Sequence, residues 1–164
     1  MAGVATQAEC TEMYKHILMA VDVEAPWSWK QALPVVRAMA ECFSARVTIC
    51  TVATTMEAAK RGEWWPISYQ DKLAEKRAEL DAIASQIGGE IPVDVEVGTD
   101  NVSEGIVELA ERVGADLIAL SSHQHKLVDL LVSSNAARVS RMADCSVLVI
   151  RSGSDHSASA IAAR

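Results

Sequence analysis

Two histidines one residue apart, His123 and His125, are the first residues in this chain whose spacing suggests chemistry. A metal site would need a third ligand, and Asp129 is the candidate within reach. Nothing else stands at zinc-like spacing, so exposed loop histidines are the plainer reading. Ser133 and Ser134 directly precede a helical run. The free N–H groups and dipole of a helix start attract an anion. Serine also fills the N-cap without any ligand, and that is the favoured reading. Asp22 closes the first apolar run, where an open α/β sheet presents its carboxyl edge to ligands. The plainer reading is a solvated turn residue or a cap for the next helix. Trp64 and Trp65, beside Pro66, either anchor a partner or cover the sheet. Trp27 and Trp29 read as packing, and His16 as structural. Motifs for covalent or metal-assisted catalysis are missing: no GxSxG elbow, no HExxH, no P-loop lysine motif and no CxxC. No serine has an evident base and orienting acid at a recognisable spacing. The expectation is a protein that is not an enzyme.

The elements that position these residues follow from hydrophobic periodicity. Tyr14 to Asp22 is a short, nearly continuous apolar run, as in a strand buried on both faces. Leu33, Val36, Met39, Ala40 and Phe43 give a helix one apolar face, with Ser28 and Gln31 as its capping pair. Arg46 to Val52 is the second strand, and Ala53 to Ser68 an irregular stretch. Tyr69 to Ile87 is a helix, with Lys72, Glu75, Lys76, Glu79 and Asp81 on a solvated face. Gly88 and Gly89 stop it. Val93 to Val97 alternates apolar and acidic, which suits a half-exposed strand near an edge. Asn101 and Glu104 cap a helix that ends at Gly114. Asp116 to Leu120 is a strand, Ser121 to Ser134 a loop, Asn135 to Ala143 a helix and Ser146 to Ile150 the last strand. Strand and helix alternate throughout, which predicts a parallel sheet with helices on both faces.

Composition sets limits on partners. The chain has 164 residues, half of them hydrophobic, enough for one domain with a true core. The formal net charge of −7 opposes binding to a nucleic-acid backbone or an anionic membrane. No apolar run approaches the roughly 20 residues that span a bilayer. The first residues do not read as a signal peptide. Cys10, Cys42, Cys50 and Cys145 are scattered, and three of them lie in apolar segments as small hydrophobes. A cytoplasmic protein with reduced thiols is the expectation. Residues 1–13 and 152–164 lack periodicity and read as a flexible leader and tail around a domain of residues 14–151.

Three stretches together resemble the universal stress protein family: Tyr14 to Asp22, Val113 to Ile118, and Ser134 to Val139 followed by Ala143 to Arg151. Their order and spacing carry the resemblance over most of residues 14–151. It implies a Rossmann-like sheet of five parallel strands, order 3-2-1-4-5, and dimerisation through the last strand. Val147, Leu148, Val149 and Ile150 are apolar on both faces, so an edge strand there would invite a second copy. Many members bind ATP through a loop of the form G-x2-G-x9-G-[ST]. Here the resemblance puts Ser121, Gln124 and Ser133 at the three glycine positions and Ser134 at the last, with the loop one residue short. Glycine admits positive φ and lets N–H groups approach phosphate. Asp22, Ser121, Ser133 and Ser134 would thus form a vestigial nucleotide pocket, nearest in pattern to the universal stress protein A subgroup. The expected function is a non-enzymatic stress-response homodimer without tight ATP binding. The alternative is an ATP-binding regulatory switch with weak or no ATPase activity.

Overall fold

A computed structural model describes residues 13–54, 66–99, 101–122 and 135–151. In chain order these form β1 (His16–Ala20), α1 (Pro26–Lys30), α2 (Ala32–Phe43), β2 (Arg46–Ala53) and α3 (Pro66–Ala84). They continue with β3 (Val93–Thr99), α4 (Val102–Val113), β4 (Leu117–Ser122), α5 (Asn135–Met142) and β5 (Ser146–Arg151). The strands make one sheet of order β3-β2-β1-β4-β5, with every neighbouring pair parallel. The expected fold is the observed one.

Side chains on a strand alternate between faces, and β1 divides its residues accordingly. Ile17 and Met19 pack with Val36, Ala40, Leu80 and Ile87, under α2 and α3. Leu18 and Ala20 pack with Ile106, Leu109, Ala136 and Val139, under α4 and α5. β1 is therefore buried on both faces, which is why its sequence is a continuous apolar run.

Several boundaries differ from the sequence reading, each for a local reason. The first helix is two: α1 starts with Pro26 in its first turn, and the chain turns at Gln31 before α2. Proline is pre-set for a helix start, and the cap position of α2 is Gln31, with no side-chain cap bond, where the expected cap position was Ser28. Pro66 likewise opens α3, adding residues 66–68, expected in the irregular stretch, to the helix expected from Tyr69. That helix ends at Ala84, and the chain tightens through Gln86 N–H to Ile83 C=O and Ile87 N–H to Ala84 C=O. Gly88 and Gly89, at φ 63° and 76°, follow the tightened turn. The Asn101 half of the cap expected on α4 is observed: Asn101 Oδ1 accepts from Ser103 N at 3.1 Å. Gly105 lets α4 sit close on the sheet, because a Cβ there would lie 2.9 Å from the Thr99 carbonyl oxygen. The expected leader and tail lie, apart from Met13, outside the described residues.

His16 is structural, as expected. It is buried, its Nδ1 lies 3.0 Å from the Val113 carbonyl and its Nε2 lies 2.7 Å from Thr48 Oγ1. The carbonyl can only accept, so Nδ1 carries the proton and Thr48 donates to Nε2. Burial first, then the Arg46 charge, pull its pKa below 6.5, against opposing pulls from Val113, Asp116 and Asp94. Asp116 ties β1 to β4: Oδ2 accepts from Lys15 N at 2.8 Å and Oδ1 from His16 N at 3.1 Å.

Candidate functional site

In a parallel sheet a crevice opens where adjacent strands send their crossovers to opposite faces. Here that place lies between β1 and β4. β1 leads to β2 through α2 on one face, and β4 leads to β5 through α5 on the other. A cleft of about 230 Å3 lies at the carboxyl ends of these strands. Among the described residues its apolar lining includes Ala20, Cys50, Val52, Ile106 and Leu120. Its polar lining includes Asp22, Glu24, Thr51, Lys76, Ser121 and Asn135.

Asp22 lines the cleft as expected. Its Oδ1 accepts from Glu24 N at 3.0 Å, and its carbonyl accepts from Ala25 N at 3.1 Å. The carboxylate thus holds its own turn, while the cap position of α1 is Ala25 with no side-chain bond. The helix-cap reading is set aside. Asp22 is exposed in its turn and lines the cavity.

Ser121 also lines the cleft, but it belongs to β4 rather than to a loop. Its Cα partner across the ladder is Ile150, so it is held by strand pairing. Its Oγ is buried and has no hydrogen-bond partner among the described residues. A buried hydroxyl in that condition costs free energy. Ser133 and Ser134, with Gln124, His123, His125 and Asp129, lie outside the described residues. So do Trp64 and Trp65.

The sequence reading missed Lys76, Glu24 and Asn135 as cleft residues. Lys76 was placed on a solvated face of α3, yet its side chain is only 16 % exposed and its Nζ lies 3.4 Å from Glu24 Oε1. Its long stem covers apolar wall while the ammonium reaches the cleft mouth. No periodicity signal identifies it, because the contact spans 52 positions. Asn135 opens α5, and its Oδ1 accepts from Ser103 Oγ at 3.1 Å, tying the α5 start to α4. Its place just after Ser134 was the available signal.

Burial and, less, the Glu96 charge push the Cys50 thiol up to about 12, so it is protonated at neutral pH and a poor nucleophile. No group of three or more His, Cys, Asp or Glu side chains able to hold a metal occurs among the described residues. Within those residues, no helix is long and apolar enough to cross a membrane.

Comparison with known proteins agrees with this architecture. A sequence profile described as the universal stress protein family matches residues 13–151. Universal stress protein A homolog 1 of Coxiella burnetii is 28% identical over 142 residues, covering 84% of this chain and 96% of the relative. Among solved structures, the hypothetical protein MJ0577 superposes with a TM-score of 0.67 at 26% identity, covering 86% of this chain and 98% of that one. A universal stress protein in complex with cAMP gives 0.59 at 19% identity, covering 85% and 98%. The Archaeoglobus fulgidus universal stress protein in complex with dAMP gives 0.54 at 20% identity, covering 84% and 98%.

Proposed function

This chain belongs to the universal stress protein family, and on that premise we propose that it is a non-enzymatic, cytoplasmic stress-response regulator. In this reading it acts as a homodimer joined through β5 and holds ATP weakly or not at all. The observation that carries the proposal is the state of β5. Among the described residues it pairs with β4 alone, which leaves its other backbone edge available to a second copy. Val147, Leu148, Val149 and Ile150 are each only partly buried, against a fully buried β1. An apolar, uncovered edge is a template for pairing. Two-fold pairing of the same strand satisfies it in a closed assembly. The described cysteines are free, with Cys42 exposed, which fits a reducing compartment. The cleft supports binding over turnover, since its described lining pairs no nucleophile with a base. Light scattering on the full chain tests the dimer. The expected mass is twice the 17.6 kDa of one chain, and Val149→Lys should halve it. A wild-type monomer at micromolar concentration refutes the dimer, and a dimer that survives Val149→Lys moves the interface elsewhere.

A second reading has its own support: a nucleotide-binding switch built on the same cleft. Ser121 Oγ has no hydrogen-bond partner there among the described residues, and two structural neighbours hold cAMP and dAMP. Each of those ligands carries one phosphate, so neither needs a cradle for three. The two readings are compatible if this cleft takes an adenine mononucleotide and disfavours the triphosphate.

A further inference from the structure

We propose that Lys76 is the residue that selects a phosphorylated over an unphosphorylated nucleoside in this cleft, exchanging its Glu24 partner for the ligand's phosphate. The inference rests on the mononucleotide reading above and adds a specificity residue to it.

The charges of the cleft point this way. Among the described lining residues, Asp22 and Glu24 are acids and Lys76 is the cation. A phosphate placed toward the acids would be repelled, and one placed at Lys76 would be attracted. The ammonium is held where that matters, with a side chain 16 % exposed on a 19-residue helix. A mostly buried stem has little freedom left to lose when a ligand arrives. Its present partner is a poor one. Glu24 Oε1 is 3.4 Å away and Glu24 is 55% exposed, so the pair is longer than the roughly 2.7–2.9 Å of a strong charge-assisted hydrogen bond. A dianionic phosphate with three acceptor oxygens competes well against a solvated carboxylate at that distance.

Glu24 then acts as the competitor that sets affinity. It neutralises Lys76 when the cleft is without phosphate, and it must give way when phosphate binds. Its turn is held by the Asp22 carboxylate through Glu24 N, so the competing carboxylate is presented from an ordered position.

Calorimetry with AMP and with adenosine on the nucleotide-stripped full chain tests this. Wild type should bind AMP roughly tenfold more tightly than adenosine, as one charge-assisted contact provides. Lys76→Met keeps the apolar stem and should abolish that preference, weakening AMP roughly tenfold while adenosine changes less than about twofold. Glu24→Gln should tighten AMP and leave adenosine unchanged. Thermal unfolding of each variant checks that the domain is intact, and Lys76→Arg should restore the preference if Lys76→Met lowers the melting point. AMP affinity unaltered in Lys76→Met overturns the proposal while leaving the mononucleotide reading standing. Equal losses for AMP and adenosine overturn it too, because they assign Lys76 to wall packing. If wild type binds neither ligand, the mononucleotide reading fails and this inference fails with it.

Discussion

Replacing Ser121 with alanine should make the nucleotide-stripped protein more stable and a worse nucleotide binder. The hydroxyl is buried in the cleft and lacks a hydrogen-bond partner among the described residues. A buried polar group in that condition costs about 1–3 kcal/mol. Ser121→Ala removes one oxygen and keeps the Cβ, so the void left behind is small and the net gain is about 1–2 kcal/mol. For a chain of 164 residues, each kcal/mol moves the melting point by about 2–4 °C, so a rise of about 2–8 °C is expected. Ligand then separates the two effects. AMP at 100 times its Kd stabilises the native state by about 2.7 kcal/mol. If the lost Ser121 contact is worth about 1 kcal/mol, the variant binds about fivefold more weakly, and the same AMP concentration gives about 1.8 kcal/mol. Differential scanning fluorimetry with and without AMP reads both numbers. A variant that melts at or below wild type without nucleotide refutes the premise that Ser121 Oγ is an unmet group. An unchanged AMP-induced shift refutes its role as a ligand contact.

Two further predictions concern the other end of β1. Asp116→Ala strips the acceptors from Lys15 N and His16 N and should destabilise the domain by about 2–3 kcal/mol, measured by urea unfolding. Asp116→Asn, which keeps one acceptor, should lose about half as much, and equal losses would show that the charge rather than the bonds matters. His16 gives a pH dependence of definite sign. Its native pKa lies below the unfolded 6.5, so the unfolded chain binds the extra proton first. Its contribution is complete above 6.5 and is lost as pH falls from there toward the native pKa. Urea melts at about pH 7.5 and about pH 5.5 should show a steeper fall for wild type than for His16→Gln, and parallel falls would contradict the buried neutral imidazole.

The sheet was legible because β1, β2 and β4 are short runs with no competing helical period, and because β1 and β4 are followed by amphipathic segments. Boundaries were legible where a side chain or glycine makes them, as at Asn101 and Gly114. They were misplaced where proline opens a helix: Pro66 stood in the irregular stretch, yet its fixed φ suits a first helical turn. Asp22 was legible because a strand end at the switch point is a position that topology alone defines. Ser121 was placed in the right neighbourhood and in the wrong element, since β4 continues two residues beyond its apolar run. Lys76 was not legible at all. Helical periodicity puts it among mixed charges, and only the packing of α3 against the sheet brings its ammonium to Glu24.

The account's central claim is that this family member regulates through its dimeric surface and not by holding ATP. Titration calorimetry of magnesium-ATP into the nucleotide-stripped full chain tests the second half directly. The chain has Ser121, Gln124 and Ser133 at the positions the family pattern gives to glycine, and the described cleft sets Asp22 and Glu24 beside Lys76. Side chains in place of glycine hinder the approach of backbone N–H groups to phosphate, and Lys76, the one cation of the described lining, can meet one phosphate while the further charge of a triphosphate faces Asp22 and Glu24. The account predicts no saturable binding below about 1 mM, which corresponds to about −4 kcal/mol. A Kd in the low micromolar range, or ATP retained through purification, contradicts it and makes the nucleotide switch the primary function.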